Sequence, residues 1–441
     1  MTVDPLILPP LIGGALAVLF AWISMRAARK RRYIRDTPTS KAAGVFIGDV
    51  ELKGTAESAE PLTSHLAEIR CVHYAWLVEE HWRRTRVESY TDSKGNRRTR
   101  TVVETGWDTV ASGGEQTPFY LRDDSGHILV RPDGMEVEGT GVFSFTCTPG
   151  HPLYYGKGPA GSVMGSTDDR RFTERAIPIH ANIFVMGAAR ERRDVVAAEI
   201  AHGSEARFSL VTMASEDSVA SGYTSRIWVY GIIGAIFACA GMVMPAAIAG
   251  ARDAGLAVPG VAALAAYLAA LACIWALMTF NTLRAQRERV RRGWANIDVE
   301  LKRRADLIPN IAECVKGARA HERDTHELLA RMRAQYAVSP QAVRQGEAAV
   351  EGLALSVVAI AERYPDLKTN DNFLALQHEL SRTESRIALA RTYYNGLVTA
   401  FNARIAVFPD SVLAAVGGLR RFAFFEAKGL EREVVKVDFA R

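Results

Sequence analysis

Three long uncharged runs constrain this chain more than anything else in it. PLILPPLIGGALAVLFAWISM lies between Asp4 and Arg26, and IWVYGIIGAIFACAGMVMPAAIAGA lies between Arg226 and Arg252. A third run extends from Ala254 to Leu283 and is richest at VPGVAALAAYLAALACIWALMTF. A helix needs ~20 apolar residues to cross the hydrocarbon core of a bilayer. One such run could be a buried core helix, but three in one chain of 441 residues point to a membrane protein. The expected spans are residues 5–25, 227–250 and 258–280.

The flanking charges give the expected topology. The first run has no positive segment before it, which argues against a secretory signal, and RAARKRR (Arg26 to Arg32) follows it. The third run returns into LRAQRERVRR, a second basic collar from Arg284 to Arg292. The positive-inside rule places both collars in the cytoplasm, Met1 in the periplasm and both soluble portions on the cytoplasmic side. The expectation is a multi-pass protein of a bacterial inner membrane. The net charge of +5 comes largely from the collars, which suit anionic headgroups. No aromatic-basic signature accompanies them, so nucleic acid is not an expected partner. Five scattered cysteines give no disulfide framework.

The first soluble portion, residues 33–225, reads as mainly β. In CVHYAWLVEEHW (Cys71 to Trp82), Val72, Tyr74, Trp76, Val78 and Trp82 fall on one face, and Cys71, His73, Ala75, Leu77, Glu79 and His81 on the other. This strand continues through RRTRVESY, turns at DSKGN and returns through RRTRTVVETGWDTVA as a long hairpin. Its basic residues, with Glu79, Glu80, Glu88 and Glu104 nearby, read as a solvated surface. Further strands are expected at TPFYLRD, HILVRP, MEVEGTGVFSFT and RAIPIHANIFVMGAAR, with helical pieces at LTSHLAE and ERRDVVAAEIA. Many short strands with Gly-rich turns favour a closed or nearly closed barrel. Cys71 and His73 share a face, but His81 lies ~27 Å further along an extended strand, so no four-ligand metal site is expected. GKGPAG (Gly156 to Gly161) satisfies G-x-G-x-x-G, yet Pro159 interrupts it and no helix opens after it, so no dinucleotide site is expected.

The run GVFIGDVELKGTA (Gly44 to Ala56), the Pro61-Leu62 pair and the Cys71-Val72 strand resemble the opening of the GIDE domain. That domain is known from membrane-anchored E3 ubiquitin ligases of mitochondria and from bacterial relatives. The resemblance extends through FYLRDDSGHILVRPDGMEVE to about Ala189, and it implies a domain lying between two spans. The ligases carry their activity in a RING, which needs paired C-x-x-C zinc ligands, and this sequence contains no C-x-x-C. A RING-type ligase is therefore excluded.

The second soluble portion, residues 283–426, changes period from two to seven. Phe373, Leu380, Ile387, Tyr394, Phe401 and Phe408 occupy one heptad position, supported by Leu376, Ala390 and Leu397. Trp294, Leu301, Ile308, Val315, Leu329 and Tyr336 form a second series, and Val350, Val357 and Tyr364 a third. Such repeats indicate long helices packed in a bundle. VSPQ and YPDLKTNDN separate the helical runs, and Pro309 is expected to kink or break the first. WANIDVELKRRADLIPNIAECVKGARAHE, together with the stretch from AERYPDLKTNDN to FPDSVLAAV, resembles the LemA family closely. That family's members are membrane-anchored antiparallel helical bundles, linked to stress, envelope maintenance and membrane proteolysis. The expected fold class is thus an α+β membrane protein with three transmembrane helices, a barrel-like GIDE domain, a LemA helical bundle and a tail at 427–441.

Polar residues beside the breaks are the candidate interaction or structural positions: Arg303, Arg304, Asp306, Pro309 and Asn310 at the first, Tyr364, Pro365, Asp366 and Asn372 at the second. Capping and interhelix pairing are their ordinary uses. No catalytic residue, cofactor or metal follows from the sequence. The expected function is a non-enzymatic, self-assembling scaffold with the lipid bilayer and further copies of itself as partners. The alternatives are a sensor or adaptor for a membrane protease, and an enzyme with an unrecognised site in the GIDE-like domain.

Overall fold

In the computed structural model, which describes residues 7–91, 97–192, 198–203, 208–251, 254–318 and 371–425, β structure and long helices segregate along the chain. Residues 39–219 form one unit, and residues 1–38 with 220–441 form the other.

Among its described residues the first unit has thirteen strands: β1 (Thr39–Ser40), β2 (Gly48–Glu57), β3 (Leu62–Thr63), β4 (Arg70–Thr91), β5 (Arg97–Gln116), β6 (Phe119–Arg122), β7 (His127–Val130), β8 (Glu136–Glu138), β9 (Thr140–Cys147), β10 (Ser166–Pro178), β11 (Asn182–Glu191), β12 (Ala198–Ala201) and β13 (Leu210–Thr212). β2 pairs with β6, β6 with β7, β7 with β12, β12 with β11, and β11 back with β2. The ring closes, which leaves these strands without free edges. Its core is Val50, Leu52, Leu121, Val130, Val185 and Ile200, every one buried.

The second sheet carries the predicted hairpin. β4 pairs with β5 from His73 to Thr91, while β10 covers the other edge of β4 only as far as Trp82. Residues 83–91 and 97–105 therefore project as a two-stranded ribbon. A separate apolar cluster of Leu66, Val78, Cys147, Tyr154 and Phe172 packs under this sheet.

Some expectations change. LTSHLAE is not helical: it is β3 followed by a turn. The described part of ERRDVVAAEIA is the end of β11 and β12, not helix. RAIPIHANIFVMGAAR is two strands, reversed at His180, whose φ is 63°. A short helix that sequence period did not signal, α2 (Pro152–Gly156), follows β9.

The second unit is helical. α1 (Leu8–Arg35), α3 (Glu216–Ile248) and the first part of α4 (Ala254–Ala318) are long and apolar enough to cross a membrane. α1 and α3 cross where Gly13 meets Gly241, and a Cβ on Gly13 would lie 2.7 Å from the Gly241 Cα. At the other end Ser24 Oγ donates to the Ile227 carbonyl at 2.9 Å, so the two helices run antiparallel. Tyr267 of α4 donates to the Gly231 carbonyl of α3 at 3.2 Å. Trp228, Ile236 and Val261 face outward and exposed, which suits a lipid surround.

α4 continues far beyond its apolar part, and α5 (Asp371–Ala406) packs along it. Arg303 meets Glu379 whereas Gly293 meets Leu397, which makes the pair antiparallel. The heptad on α5 is the packing seam: Phe373, Leu380, Ile387, Tyr394 and Phe401 are all buried. Phe408 breaks the series, because α5 has ended and its side chain is exposed. On α4 the buried heptad is Leu283, Val290, Ile297 and Ile311, with Leu301 beside it and Trp294 half-buried. The seam is therefore rotated from the expected Trp294 series. Pro309 does not break α4, which stays helical to Ala318. Leu329, Tyr336, the Val350–Tyr364 series and the tail at 427–441 lie outside the described residues.

Candidate functional site

Polar side chains gather where α1, α4, α5 and α6 (Asp410–Val416) meet. The end of the basic collar supplies Arg32, and Asp36 and Thr37 follow directly after α1. Arg32 Nη1 donates to Thr279 Oγ1 of α4 at 2.6 Å, and its guanidinium lies over Trp275. Arg289 of α4 reaches back to Thr37 Oγ1 at 3.2 Å and stacks over Tyr33. Arg404, from the last turn of α5, pairs with Asp36 and donates Nε to Asp410 at 2.8 Å. Burial works against the Arg404 charge, but Asp36 and Asp410 outweigh it and hold its pKa above the ordinary arginine value. The layer clamps the end of the first apolar helix to the start of the helical hairpin.

The predicted positions near the first break are split. Arg303 pairs with Glu379 and Arg304 with Glu384, the latter at 3.2 Å, so both join α4 to α5. Asp306, Pro309 and Asn310 are exposed along α4. Asn372 is exposed in the first turn of α5. Tyr364, Pro365 and Asp366 lie outside the described residues.

Three residues of this hairpin were not singled out from sequence. Glu300 is buried in the seam and receives Arg386 Nε at 2.8 Å. Asn395 and Asn402, seven residues apart on α5, each grip the chain that returns after α6. Asn402 Nδ2 donates to the Phe422 carbonyl at 2.8 Å, and its Oδ1 accepts from the Phe422 amide at 3.0 Å. Asn395 treats Phe425 the same way, at 3.1 and 2.8 Å. A heptad-spaced asparagine pair was the available signal.

In the β unit the ionisable groups serve the fold. Arg170 is fully buried: its Nε donates to Glu80 Oε2 at 2.8 Å, and its Nη atoms donate to the carbonyls of Tyr154, Pro159 and Gly161 at 3.1, 2.7 and 2.6 Å. The Tyr154 ring lies 3.9 Å from the guanidinium carbon. GKGPAG thus wraps an internal cation. Glu80 is not solvated as expected but fully buried. Glu174 receives Ser64 Oγ and the amides of Leu66 and Ala67 at 3.0, 3.0 and 2.7 Å, which pins the turn after β3.

The Cys71, His73 and His81 side chains have separate surroundings. Burial pushes the Cys71 thiol up to about 11, and its Sγ lies 3.7 Å from the Leu62 carbonyl. Burial lowers the His73 imidazole. His81 Nδ1 lies 2.8 Å from Thr167 Oγ1. Among the described residues, no three His, Cys, Asp or Glu side chains are grouped to hold a metal ion.

Comparison with known proteins follows the same division. Residues 293–439 match the family model described as LemA family, and residues 87–245 match GIDE, described as E3 Ubiquitin ligase. The GIDE match begins at Val87, downstream of GVFIGDVELKGTA, and extends to Pro245 inside α3; the LemA match runs past the expected limit at Glu426. Magnetosome proteins MamQ 1 and MamQ 2 of Paramagnetospirillum magneticum are each 31% identical over 72 residues, 16% of this chain and 26% of theirs. The chain thus spans about a quarter of the length of those relatives. Protein LemA of Metamycoplasma hominis is 23% identical over 155 residues, 34% of this chain and 71% of its own.

Proposed function

We infer that this chain, a LemA-family member through residues 293–439 and the carrier of a GIDE segment at 87–245, is a self-assembling scaffold of a bacterial inner membrane. The observation that carries the reading is the Asp36–Arg404–Asp410 cluster, which joins the first apolar helix to the hairpin of α4 and α5. A scaffold has to transmit position from the membrane to a presented surface. A half-buried charge cluster specifies one geometry at a cost in desolvation that a flexible tether would avoid.

The helix directions support a proposed topology. α1, α3 and α4 alternate in direction, and the ends of α1 and of the apolar part of α4 lie together through Arg32 and Thr279. Both basic collars then emerge on one face, which the positive-inside rule makes cytoplasmic. Residues 39–219 and the helical hairpin would share that compartment. Cys71 is a poor reporter because it is buried; Ser89→Cys on the ribbon and Ser385→Cys on α5 replace exposed residues. A membrane-impermeant thiol reagent added to cells with permeabilised outer membranes should spare both and reach Ala249→Cys in the link after α3. The reverse pattern would overturn the topology.

The reading is non-enzymatic because Arg170, Glu174 and Glu199 are spent on internal pairs and turns. The E3 Ubiquitin ligase description of the GIDE match keeps an activity of the β unit open. Self-assembly is tested by measuring particle mass for the full chain in mild detergent and in native-lipid discs. Particles of several chains are expected, and a strictly monomeric population in both would sink the scaffold reading.

A further inference from the structure

The charge pattern after α5 changes abruptly. Asp410 is tied to Arg404, the next nine residues, SVLAAVGGL (Ser411 to Leu419), carry no charge, and Arg420 and Arg421 follow, both exposed. The chain bends by 96° between α5 and α6. α5 buries its apolar seam against α4, so α6 runs across the direction of the hairpin instead of extending it.

α6 has one covered side and one bare side. Ala414 is buried, and a Cβ on Gly417 would lie 2.8 Å from the Phe280 ring. The opposite edge is apolar and bare: Phe408 is 78% exposed, Val412 54% and Val416 82%, with Val407 and Ala415 exposed beside them. Val412, Ala415 and Val416 are spaced i, i+3, i+4, so they form one stripe.

Phe280 fixes the level of this stripe, because it is the last residue of the expected third span, 258–280. Arg284 stacks over its ring at 4.8 Å and begins the basic collar. α6 therefore lies beside the point where α4 passes from apolar to basic, crosswise to it, with arginines at its exit. A short crosswise helix with an apolar edge and basic neighbours is the form of an element lying in a membrane interface.

We propose that Val407, Phe408 and α6 form an interfacial anchor whose apolar edge inserts beneath the phospholipid headgroups on the face where α1 and α4 leave the bilayer. The proposal rests on the reading of α1, α3 and α4 as spans. The anchor would fix the tilt of the α4–α5 hairpin at a second point, through Arg404, beyond the helix that α4 shares with the membrane.

The wild-type full chain reconstituted in phosphatidylcholine–phosphatidylglycerol vesicles tests this directly. A phospholipid with a diazirine near its glycerol is photolysed, and lipid adducts are mapped on tryptic peptides. Adducts are expected on peptide 405–420 severalfold above peptide 369–382 of α5, and Phe408→Asp combined with Val416→Asp should remove most of them. Equal labelling of the two peptides would overturn the proposal. So would protein–protein cross-links at 405–420 in place of lipid adducts, which would mean that a second copy covers the edge. Adducts on the peptides of the three apolar runs report the spans separately. If those are labelled and 405–420 is not, the anchor fails while the spans stand; if neither is labelled, the reading of the spans fails with it.

Discussion

Glu80 and Arg170 face each other across adjacent strands with Nε and Oε2 2.8 Å apart, and neither side chain reaches solvent. Arg170 also satisfies the carbonyls of Tyr154, Pro159 and Gly161, so one guanidinium closes an entire loop. Removing one partner of a buried pair strands the other charge, typically at about 3–5 kcal/mol. Arg170→Met should lie at the upper end of that range, because it also frees three carbonyls. Arg170→Lys should rescue little, since an ammonium cannot reproduce the planar fork. Denaturant unfolding of the full chain measures the loss. Trypsin should then cut at Lys157, which in the native loop is held by the His65 carbonyl and Glu68. Wild-type stability in Arg170→Met would contradict the structural role.

The segment after α6 is held by Asn395 and Asn402, each presenting an amide to a backbone N–H and C=O as a neighbouring strand would. Each single hydrogen bond is worth about 1 kcal/mol net, so the double variant Asn395→Ala and Asn402→Ala should lose several. The loss is local. Hydrogen exchange at Phe422 and Phe425 should quicken, as should trypsin cleavage at Arg420 and Arg421, while Phe373 and Leu380 at the far end of α5 keep their protection. Unchanged exchange at the two phenylalanines would remove the asparagines from this role.

What could be read in the sequence follows from where period and burial agree. The β4–β5 hairpin and the α5 heptad were legible because each repeats one pattern over many residues. The α4 seam lies beside the expected Trp294 series because, next to the Leu283 heptad, it runs through Gln286, Gly293 and Glu300, buried positions that look polar or empty in sequence. Gly293 belongs there because a Cβ would lie 2.8 Å from Leu397 Cδ1. Glu80 misled for a related reason: it sits on the apolar face of β4, and its buried partner is 90 residues away. LTSHLAE has helix-forming residues, yet Glu174 binds its amides from another strand and makes it a turn. Arg303 and Arg304 pair with Glu379 and Glu384 on the facing helix, whereas the Asp36–Arg404 pair joins residues 368 apart, a separation no local sequence period signals.

Glu51 and Glu199 lie on two strands of the same ring and should respond to pH in opposite directions. Glu51 is raised above the usual carboxylate value by burial, more than Thr39 and Lys53 can offset. A raised carboxylate binds its proton more tightly in the folded state, so its stabilising contribution is full at low pH and is lost as pH rises through the folded value. Burial also pushes Glu199 upward, but Arg131 and Arg190 outweigh it and hold it below the usual value. Its contribution is present above the unfolded value and is lost as pH falls. Thermal unfolding of the β unit within the full chain, followed between acid and neutral pH, separates them. Glu51→Gln should gain relative stability toward neutral pH, whereas Glu199→Gln should lose it there. The same pH slope in both variants would refute the assignment.

Gly13 and Gly14 are neighbours on α1 with opposite surroundings. A Cβ on Gly13 would lie 2.7 Å from both the Gly241 Cα and the Phe237 carbonyl, whereas one on Gly14 would meet nothing within 4 Å. Small residues let apolar helices approach closely where lipid offers no hydrophobic drive for association. Gly13→Leu must push α1 off α3, at about 1–3 kcal/mol for overpacking. Phe20 should then leave its stacked position against Phe237, where the ring centroids are 5.6 Å apart. Gly14→Leu adds the same side chain to the same helix and changes only its outer surface. The comparison therefore cancels changes in helix propensity and in apolar content. Thermal unfolding in detergent should show a lower midpoint for Gly13→Leu and a wild-type midpoint for Gly14→Leu. Equal midpoints for the two variants would mean that the Gly13–Gly241 crossing does not hold these helices together.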